Sequence, residues 1–530
     1  MTSKVLIWAL GLPLASLLAE EQRPAVVPFE SDVAGAPWTR IDEIVFRRLA
    51  ELGIRPARVC SDAVFVRRVY LDTIGTLPTI QEASEFLRDR DDAKRGTLID
   101  RLLEREEFAD YWAMRWGDLL RIKSEFPVNL WPNAVQAYHR WLRTCIRDDV
   151  PYDRFAREIL TASGSNFRVP PVNFYRAVLD KDPDTIARAV ALTFLGTRAD
   201  GWPQERLEGL SGFFRYVGYK STTEWKEEIV FHDAARARAD RAAGETSPAV
   251  FPDGTTTAPS PDPADDPREL FADWLITAGN PWFCRVVVNR IWYWLHGRGI
   301  VHEPDDMRAD NPAMHPELLE LLCRELVDAR YDLDAIFRLI LNSTTYQLSS
   351  IPASDHADAE ASLAFYPLRR LDAEVLVDAL CQITGTTETY SSAIPEPFAF
   401  LPDGQRAIAL ADGSVSSSFL ELFERPSRDT GLVSERSQRT TAAQRLHLLS
   451  STHIRRKIEQ HVTERLRAWR GSDLRGIATN LYLSILSRFP TEAELEAVEA
   501  FSRANGNDLR LAAVDLTWAL INGTEFLFRH

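Results

Sequence analysis

Apolar residues recur at spacings of three and four along most of the chain, and this is the periodicity of amphipathic helices. Segments in which apolar and polar residues alternate, as they do in half-buried strands, are hard to find. The sequence therefore predicts a mainly α fold, with helices over 41–52, 63–74, 92–104, 106–122, 133–147, 153–162, 184–196, 203–217, 267–278, 281–296, 316–329, 332–342, 371–384, 439–450, 474–488, 492–503 and 508–523.

Several helix ends are also marked in the sequence. Pro281 and Pro316 suit first helical positions, and Gly297 suits a C-terminal stop. Thr79-x-x-Glu82 and Thr491-x-x-Glu494 have the pattern of capping boxes, in which a Thr and a Glu satisfy each other's backbone amides.

One break in composition divides the chain. Residues 241–267 are RAAGETSPAVFPDGTTTAPSPDPADDP, which is too rich in Pro, Gly, Thr and Asp to form a packed helix. A chain of 530 residues with 45% hydrophobic residues can bury large cores, and its length alone suggests more than one domain. We predict two helical domains, 38–240 and 268–530, joined by a Pro/Gly/Thr-rich linker over 241–267.

The first residues have the pattern of an export signal. MTSKVLIWALGLPLASLLAEEQRP carries one Lys, an apolar stretch and then a charged segment, which is typical of a secretory signal peptide. The apolar stretch is shorter than the roughly 20 residues of a membrane-spanning helix. We predict a signal peptide over 1–19, an extension over 20–37, no later transmembrane segment, and an extracytoplasmic location in the periplasm or outside the cell.

Charge and cysteine spacing exclude two classes of partner. A formal net charge of −15 would repel phosphate backbones, so nucleic acid is not expected as a partner. The five cysteines are far apart, and none lies in a CxxC or CxxCH motif. Covalent c-type haem needs two thiols and an axial His in fixed spacing, so the sequence predicts none.

Several segments together resemble a known family. FVRRVYLDTIGTLPT, FADYWAMRWGDLLR, NPWFCRVVVNRIWYWLHGRGIVHEPDDMRADNPAMHPELL and ERSQRTTAAQRLHLLSS are similar to segments of the planctomycete-type cytochrome-associated domains of unknown function, in the same order. The resemblance implies an exported bacterial protein, often found beside c-type haem modules or encoded near exported sulfatase-like proteins of polymer degradation. Many relatives carry CxxCH after the FLG-x-R segment, but residues 194–214 contain no cysteine, so the chain resembles a haem-free branch.

The segment from helix 281–296 through residue 315 is the first candidate site. Arg285, Asn289 and His296 fall on one stripe of an otherwise apolar helix, with Arg290 and Arg298 close by. A connector of about nineteen residues follows, and loops of this length in compact domains are usually functional or disordered. Its candidate metal ligands are His302, Asp305, Asp306 and His315.

Two interpretations of this segment remain open. No spacing in it is diagnostic of a metal site, since His302 lacks a second His four residues on. The alternative is that Arg285, Arg290 and Arg298 pair with the carboxylates and hold the connector in place. No cofactor is predicted, and a divalent metal stays an open alternative.

A second candidate combines aromatic, amide and arginine side chains. Rings stack on the apolar faces of sugars, while amides and guanidiniums bond hydroxyls and sulfates. The alternative is a structural role, in which the rings anchor loops to the core. The residues predicted to line this cleft are Asn129, Trp131, Tyr138, His139 and Arg168.

Asp372 and Glu374, beside a double Arg, are the remaining catalytic candidates, together with His302 and His315. Two carboxylates can act as acid and base if burial splits their pKa values, but a capped helix start explains the same residues.

Three hypotheses for the function follow. The favoured one is a non-redox binding or scaffold protein of extracytoplasmic polysaccharide processing, with an exported enzyme or a polysaccharide as its partner. The second is a hydrolase or lyase, with or without a metal, that acts on acidic or sulfated polysaccharide. The third is a redox partner that holds haem or iron non-covalently through His296, His302 or His315.

Overall fold

The computed structural model describes residues 24–245, 248–257, 260, 262–399, 401, 403–468 and 473–530. The predicted signal peptide lies outside these residues. The first half of the chain contains helices α1 Arg40–Leu52, α2 Asp62–Thr73, α3 Ile80–Arg88, α4 Lys94–Leu103, α5 Glu106–Leu119, α6 Pro132–Arg147, α7 Tyr152–Thr161, α8 Asn173–Arg176, α9 Pro183–Leu195, α10 Gln204–Ser211 and α11 Ala234–Ala243.

The second half contains helices α12 Pro267–Ile276, α13 Phe283–His296, α14 Pro316–Asp328, α15 Leu333–Leu341, α16 Thr344–Gln347, α17 Ala373–Thr384, α18 Ser418–Leu422, α19 Ala442–Ser450, α20 Thr452–Ala468, α21 Leu474–Leu486, α22 Glu492–Ala504, α23 Leu509–Ile521 and α24 Thr524–Leu527. The predicted mainly α class is confirmed.

Most of the helix starts and stops predicted from capping residues are present in the structure. The capping boxes at Thr79 and Thr491 are formed, and Gly297 ends α13 with a left-handed φ of 74°. Pro316 is the first residue of α14, but Pro281 is not the first residue of α13. Asn280 accepts the backbone amides of residues 282 and 283 instead, so the chain turns for two more residues before the helix begins.

Strands are few and short in the described chain. β1 Gly164–Ser165 and β2 Val217–Ser221 pair antiparallel with β3 Glu228–His232, which lies between them. β4 Arg369–Arg370 pairs antiparallel with β5 Phe528–Arg529, so that Arg369 lies opposite Arg529. This second pairing places arginines from distant parts of the sequence side by side.

The two predicted helical domains pack against each other through one continuous hydrophobic core. Trp112 of α5 packs on Trp294 of α13, with ring centroids 5.5 Å apart. Arg67 of α2 is buried and donates to the carbonyls of Ile485 and Phe526 in the other half. Because the halves share buried rings and buried hydrogen bonds, we expect them to unfold together.

Part of the predicted linker is packed on the core. Phe251 is buried and stacks on Phe213 and Trp274, with centroids 4.7 and 4.9 Å away. Among the described residues, no helix has an apolar stretch of the length that membrane crossing requires.

Candidate functional site

A network of buried and half-buried arginines and carboxylates lies between the two halves. α5 supplies Arg115 and Asp118 from the first half. The second half supplies Arg290 from α13, Arg369 from β4, Asp372 and Glu374 at the start of α17, Arg436 from the loop before α19, and Arg529 from β5. Buried charges are stable only when they are paired and hydrogen-bonded, so each contact in this network fixes another.

Asp372 is the centre of the network. Its carboxylate accepts from Arg115 at 2.5 Å and from Arg529 at 3.0 Å, and Arg436 lies 3.4 Å away. Burial raises the pKa of Asp372, but these three guanidiniums outweigh that effect and hold the pKa well below its usual range. Asp372 is therefore an ionised anchor that joins α5 to β5.

Glu374 is ionised in the same way. Arg436 donates hydrogen bonds to both carboxylate oxygens of Glu374, at 2.8 and 3.0 Å, and Arg425 lies 3.4 Å away. Burial raises the pKa of Glu374, but the attraction of Arg436 and Arg425 outweighs burial and lowers the pKa to about 2. Acid–base chemistry by Asp372 and Glu374 would need split pKa values, and here both carboxyl groups are held in the charged form.

A small pocket opens onto this network. Its volume is about 30 Å³, which gives room for ordered water or for a small anionic group. Four arginines line it, namely Arg115, Arg290, Arg369 and Arg436. Among the described residues that line the pocket, Asp118 is the one carboxylate, and it is shared between Arg428 at 2.9 Å and Arg436 at 2.7 Å.

Three of these arginines retain unused hydrogen-bond donors. The Nε–H groups of Arg115, Arg290 and Arg369 are buried and have no hydrogen-bond partner among the described residues. A buried donor without an acceptor costs about 1–3 kcal/mol, and more when the group is charged. Each lining guanidinium already has a carboxylate partner, so the four arginines are charge-paired. The unused Nε–H donors of three of them are the feature that suits an anion.

Tyr293 completes the pocket lining on the α13 side. Burial raises the pKa of this phenol, an effect that Arg115 and Arg369 oppose without reversing. The phenol stays neutral near pH 7, so its hydroxyl is available as a donor to an anion rather than as a base.

The connector after α13 is held in place from several sides. Asn289 bonds both backbone groups of Val301, at 2.9 and 3.0 Å. Asp305 is buried, lies 3.3 Å from Arg290 and accepts the amide of Val433 at 2.7 Å. Through Asp305 the connector joins Arg290 to the loop that carries Arg436.

The ion-pair interpretation of the connector is correct for Arg290 but wrong for Arg285, which pairs with Glu320 of α14. Arg298 also has no ion pair with a connector carboxylate among the described residues, and its Nε–H is buried without a partner. His296 is buried against Trp292, with ring centroids 4.0 Å apart, and burial lowers its pKa to about 3.

The proposed metal ligands are not brought together. Asp306 pairs with Arg308 at 2.6 Å, Asp305 faces Arg290, and His302 is exposed. His315 is buried at the start of α14, where burial lowers its pKa to about 4. Within the described part of the chain, no group of three or more His, Cys, Asp or Glu side chains is arranged to hold a metal ion.

The predicted aromatic cleft is divided between core and surface. Tyr138 and His139 are buried in α6, which agrees with a structural role. Trp131, Asn129 and Arg168 lie nearer the surface, where Trp131 contacts the rings of Trp225 and Phe398, which were not among the predicted residues.

Sequence patterns did not predict that Arg115, Asp118, Tyr293, Arg369 and Arg436 belong to one site. One signal was available, because Arg115 stands between Trp112 and Trp116 in an otherwise apolar helical segment. A charged residue among buried aromatics requires a buried partner. The identity of that partner depends on contacts across more than two hundred residues.

Two family models match the chain. Residues 40–200 match PSCyt2, described as "Protein of unknown function (DUF1549)", and residues 267–502 match PSD1, described as "Protein of unknown function (DUF1553)". No curated protein and no solved structure matches the chain. We call the pocket lined by Arg115, Arg290, Arg369 and Arg436 the arginine pocket. Arg115 lies in the first matched segment and the other three arginines lie in the second, so both segments contribute to the pocket.

Proposed function

Because the chain belongs to the planctomycete cytochrome-associated two-domain family of unknown function, we propose its role from the arginine pocket: it is a binding protein for anionic groups. The ligand class we propose is an acidic polysaccharide, whose carboxylate or sulfate groups would enter the pocket. The N-terminal signal pattern supports an extracytoplasmic location for this binding.

The observation that carries the proposal is the set of four arginines around a pocket with one lining carboxylate. The chain as a whole has a formal charge of −15, so general attraction would not bring an acidic polymer to it. A local cluster of guanidiniums with unused N–H donors supplies a specific attraction, since guanidiniums bond carboxylates and sulfates in paired geometry.

The protonation states favour binding over acid–base catalysis. Asp372 and Glu374 are both ionised and engaged with arginines, and Tyr293 is neutral. A general acid or base needs a pKa near the working pH and reach to the ligand. None of these three groups meets the first requirement, so the arrangement suits a preformed binding site.

Leu432 offers the sharpest test because it lines the pocket and is only partly buried. In Leu432→Glu the new carboxylate would occupy or neutralise the guanidiniums, while Leu432→Gln places a neutral side chain of similar size there. We expect Leu432→Glu to weaken binding of polygalacturonate or dextran sulfate by at least about tenfold, and Leu432→Gln to keep most of the affinity. Calorimetric titration at two salt concentrations measures both variants.

Thermal unfolding of the two variants serves as the control for folding. Since a carboxylate beside several guanidiniums adds attraction, Leu432→Glu should unfold no earlier than Leu432→Gln. Equal binding by the two variants, or equal binding of wild type to neutral dextran and to the acidic polymers, would contradict the proposal.

A further inference from the structure

Three aromatic rings from separate segments meet at the surface near the start of α6. Trp131 precedes the helix, Trp225 lies in the turn between β2 and β3, and Phe398 lies in the loop after α17. Trp225 is 67% exposed and Phe398 is 48% exposed. We call Trp131, Trp225 and Phe398 the aromatic platform.

The rings hold one another in a fixed arrangement. Trp131 meets Trp225 edge to face, with centroids 6.4 Å apart, and meets Phe398 at 5.7 Å with a tilt of 56°. Lys226 lies over both tryptophans, with its ammonium 4.9 Å from the Trp131 ring and 5.5 Å from the Trp225 ring. These are attractive aromatic and cation–π geometries, so the platform exists without a ligand.

Hydrogen bonds join two of the three loops. The carboxylate of Glu125 accepts the amide of Ala393 at 3.2 Å, and the amide of Glu125 donates to the Ser414 hydroxyl at 3.0 Å. These bonds fix the loop of Trp131 against the loop of Phe398. A platform that is already ordered loses little entropy when it binds.

The backbone under the rings adopts a conformation that non-glycine residues rarely take. Asn129, Trp131 and Lys226 have φ values of 58°, 74° and 60°. Strained residues of this kind concentrate at functional sites. Two of these residues, Trp131 and Lys226, contact each other through the ring and the ammonium group.

The composition of the patch indicates the chemistry of its ligand. The exposed apolar groups are aromatic rings, and the polar residues next to them in the sequence include Asn129, Glu224 and Lys226, which carry amide, carboxylate and ammonium groups. A sugar ring presents an apolar C–H face and a rim of hydroxyls, which is the complement of a flat ring bordered by polar groups. Stacked nucleic-acid bases would also suit the rings, but the net charge of −15 opposes a phosphate backbone.

We propose that the aromatic platform is a saccharide-binding surface that stacks on the rings of an uncharged stretch of a polysaccharide chain. It is distinct from the arginine pocket, because none of its three rings lines that pocket. The inference does not rest on the proposed anion binding, since stacking on a sugar face needs no acidic group.

Trp225→Ala tests the platform, with Trp38→Ala as the matched control, because Trp38 is 84% exposed and lies elsewhere in the sequence. The probes are neutral hexasaccharides of glucose, mannose, xylose and galactose, titrated calorimetrically into the full chain. We expect at least one hexasaccharide to bind wild type, Trp225→Ala to weaken that binding by about tenfold, and Trp38→Ala to leave it unchanged. Trp225→Tyr should restore most of the affinity, because a ring returns to the platform.

Three results would overturn the inference. They are the absence of binding by every hexasaccharide, an equal loss of affinity in Trp38→Ala, and a wild-type self-association that Trp225→Ala abolishes in sedimentation, which would make the patch a protein interface. Leu432→Glu separates this proposal from the anion pocket, because it should leave neutral hexasaccharide binding intact even where it removes binding of acidic polymers.

Discussion

Replacing Asp372 with alanine is expected to lower the free energy of unfolding by about 3–5 kcal/mol. The substitution removes the partner of Arg115 at 2.5 Å and of Arg529 at 3.0 Å. Among the described residues, Arg115 would then be buried without a carboxylate partner, and Arg529 would keep one carboxylate, Asp72, 3.3 Å away. Because Arg115 belongs to α5 and Arg529 to β5, the loss should affect the whole fold rather than one helix.

Denaturant unfolding followed by circular dichroism measures this effect. Asp273→Ala is the matched control, since its carboxylate pairs with Arg157 at the surface and its loss should cost less than about 1 kcal/mol. If Asp372→Ala proved as mild as Asp273→Ala, the network would not be the structural link between the halves.

Gly297→Ala is expected to destabilise the protein by about 3 kcal/mol, which is more than an alanine in the left-handed backbone conformation usually costs. Gly297 ends α13 at a φ of 74°, and an added Cβ would overlap Cδ of Arg369. Arg369 donates to the carbonyl of Trp294 at 2.9 Å and lies 3.1 Å from Asp72, so moving it breaks buried bonds.

Gly244→Ala separates the clash from the backbone strain. Gly244 also ends a helix, with a φ of 73°, but an added Cβ there would meet nothing within 4 Å. Its substitution should cost about 1–2 kcal/mol, the ordinary price of a left-handed residue. Thermal unfolding of both variants gives the difference, and equal losses would show that Arg369 is not held against Gly297 as described.

The helices could largely be predicted from the sequence because their apolar faces repeat within each segment. α6 follows the prediction for 133–147 closely. α20, Thr452–Ala468, was missed because its buried stripe consists of Ile454, Ile458 and Val462 in an otherwise charged segment. β4 and β5 are two residues long, too short for any alternation to mark them.

The site was predictable only in part. Arg290 was selected from its place on a buried helix, and Asp372 and Glu374 from their place beside a double Arg. Their partners Arg115, Arg436 and Arg529 come from α5, a loop and the last strand, and sequence patterns carry no information on such distant pairs. The pKa values followed from these contacts, so the ionised state of both carboxylates could not be predicted either.

Anomalous scattering tests the central claim, that the arginine pocket binds anions, most directly. Crystals of the protein would be soaked in sodium bromide or sodium selenate and measured at the bromine or selenium absorption edge. We predict an anomalous peak within hydrogen-bond distance of Arg115, Arg290 or Arg369, and its loss in Leu432→Glu crystals. Peaks only at surface lysines and arginines, with water alone in the pocket, would contradict the account.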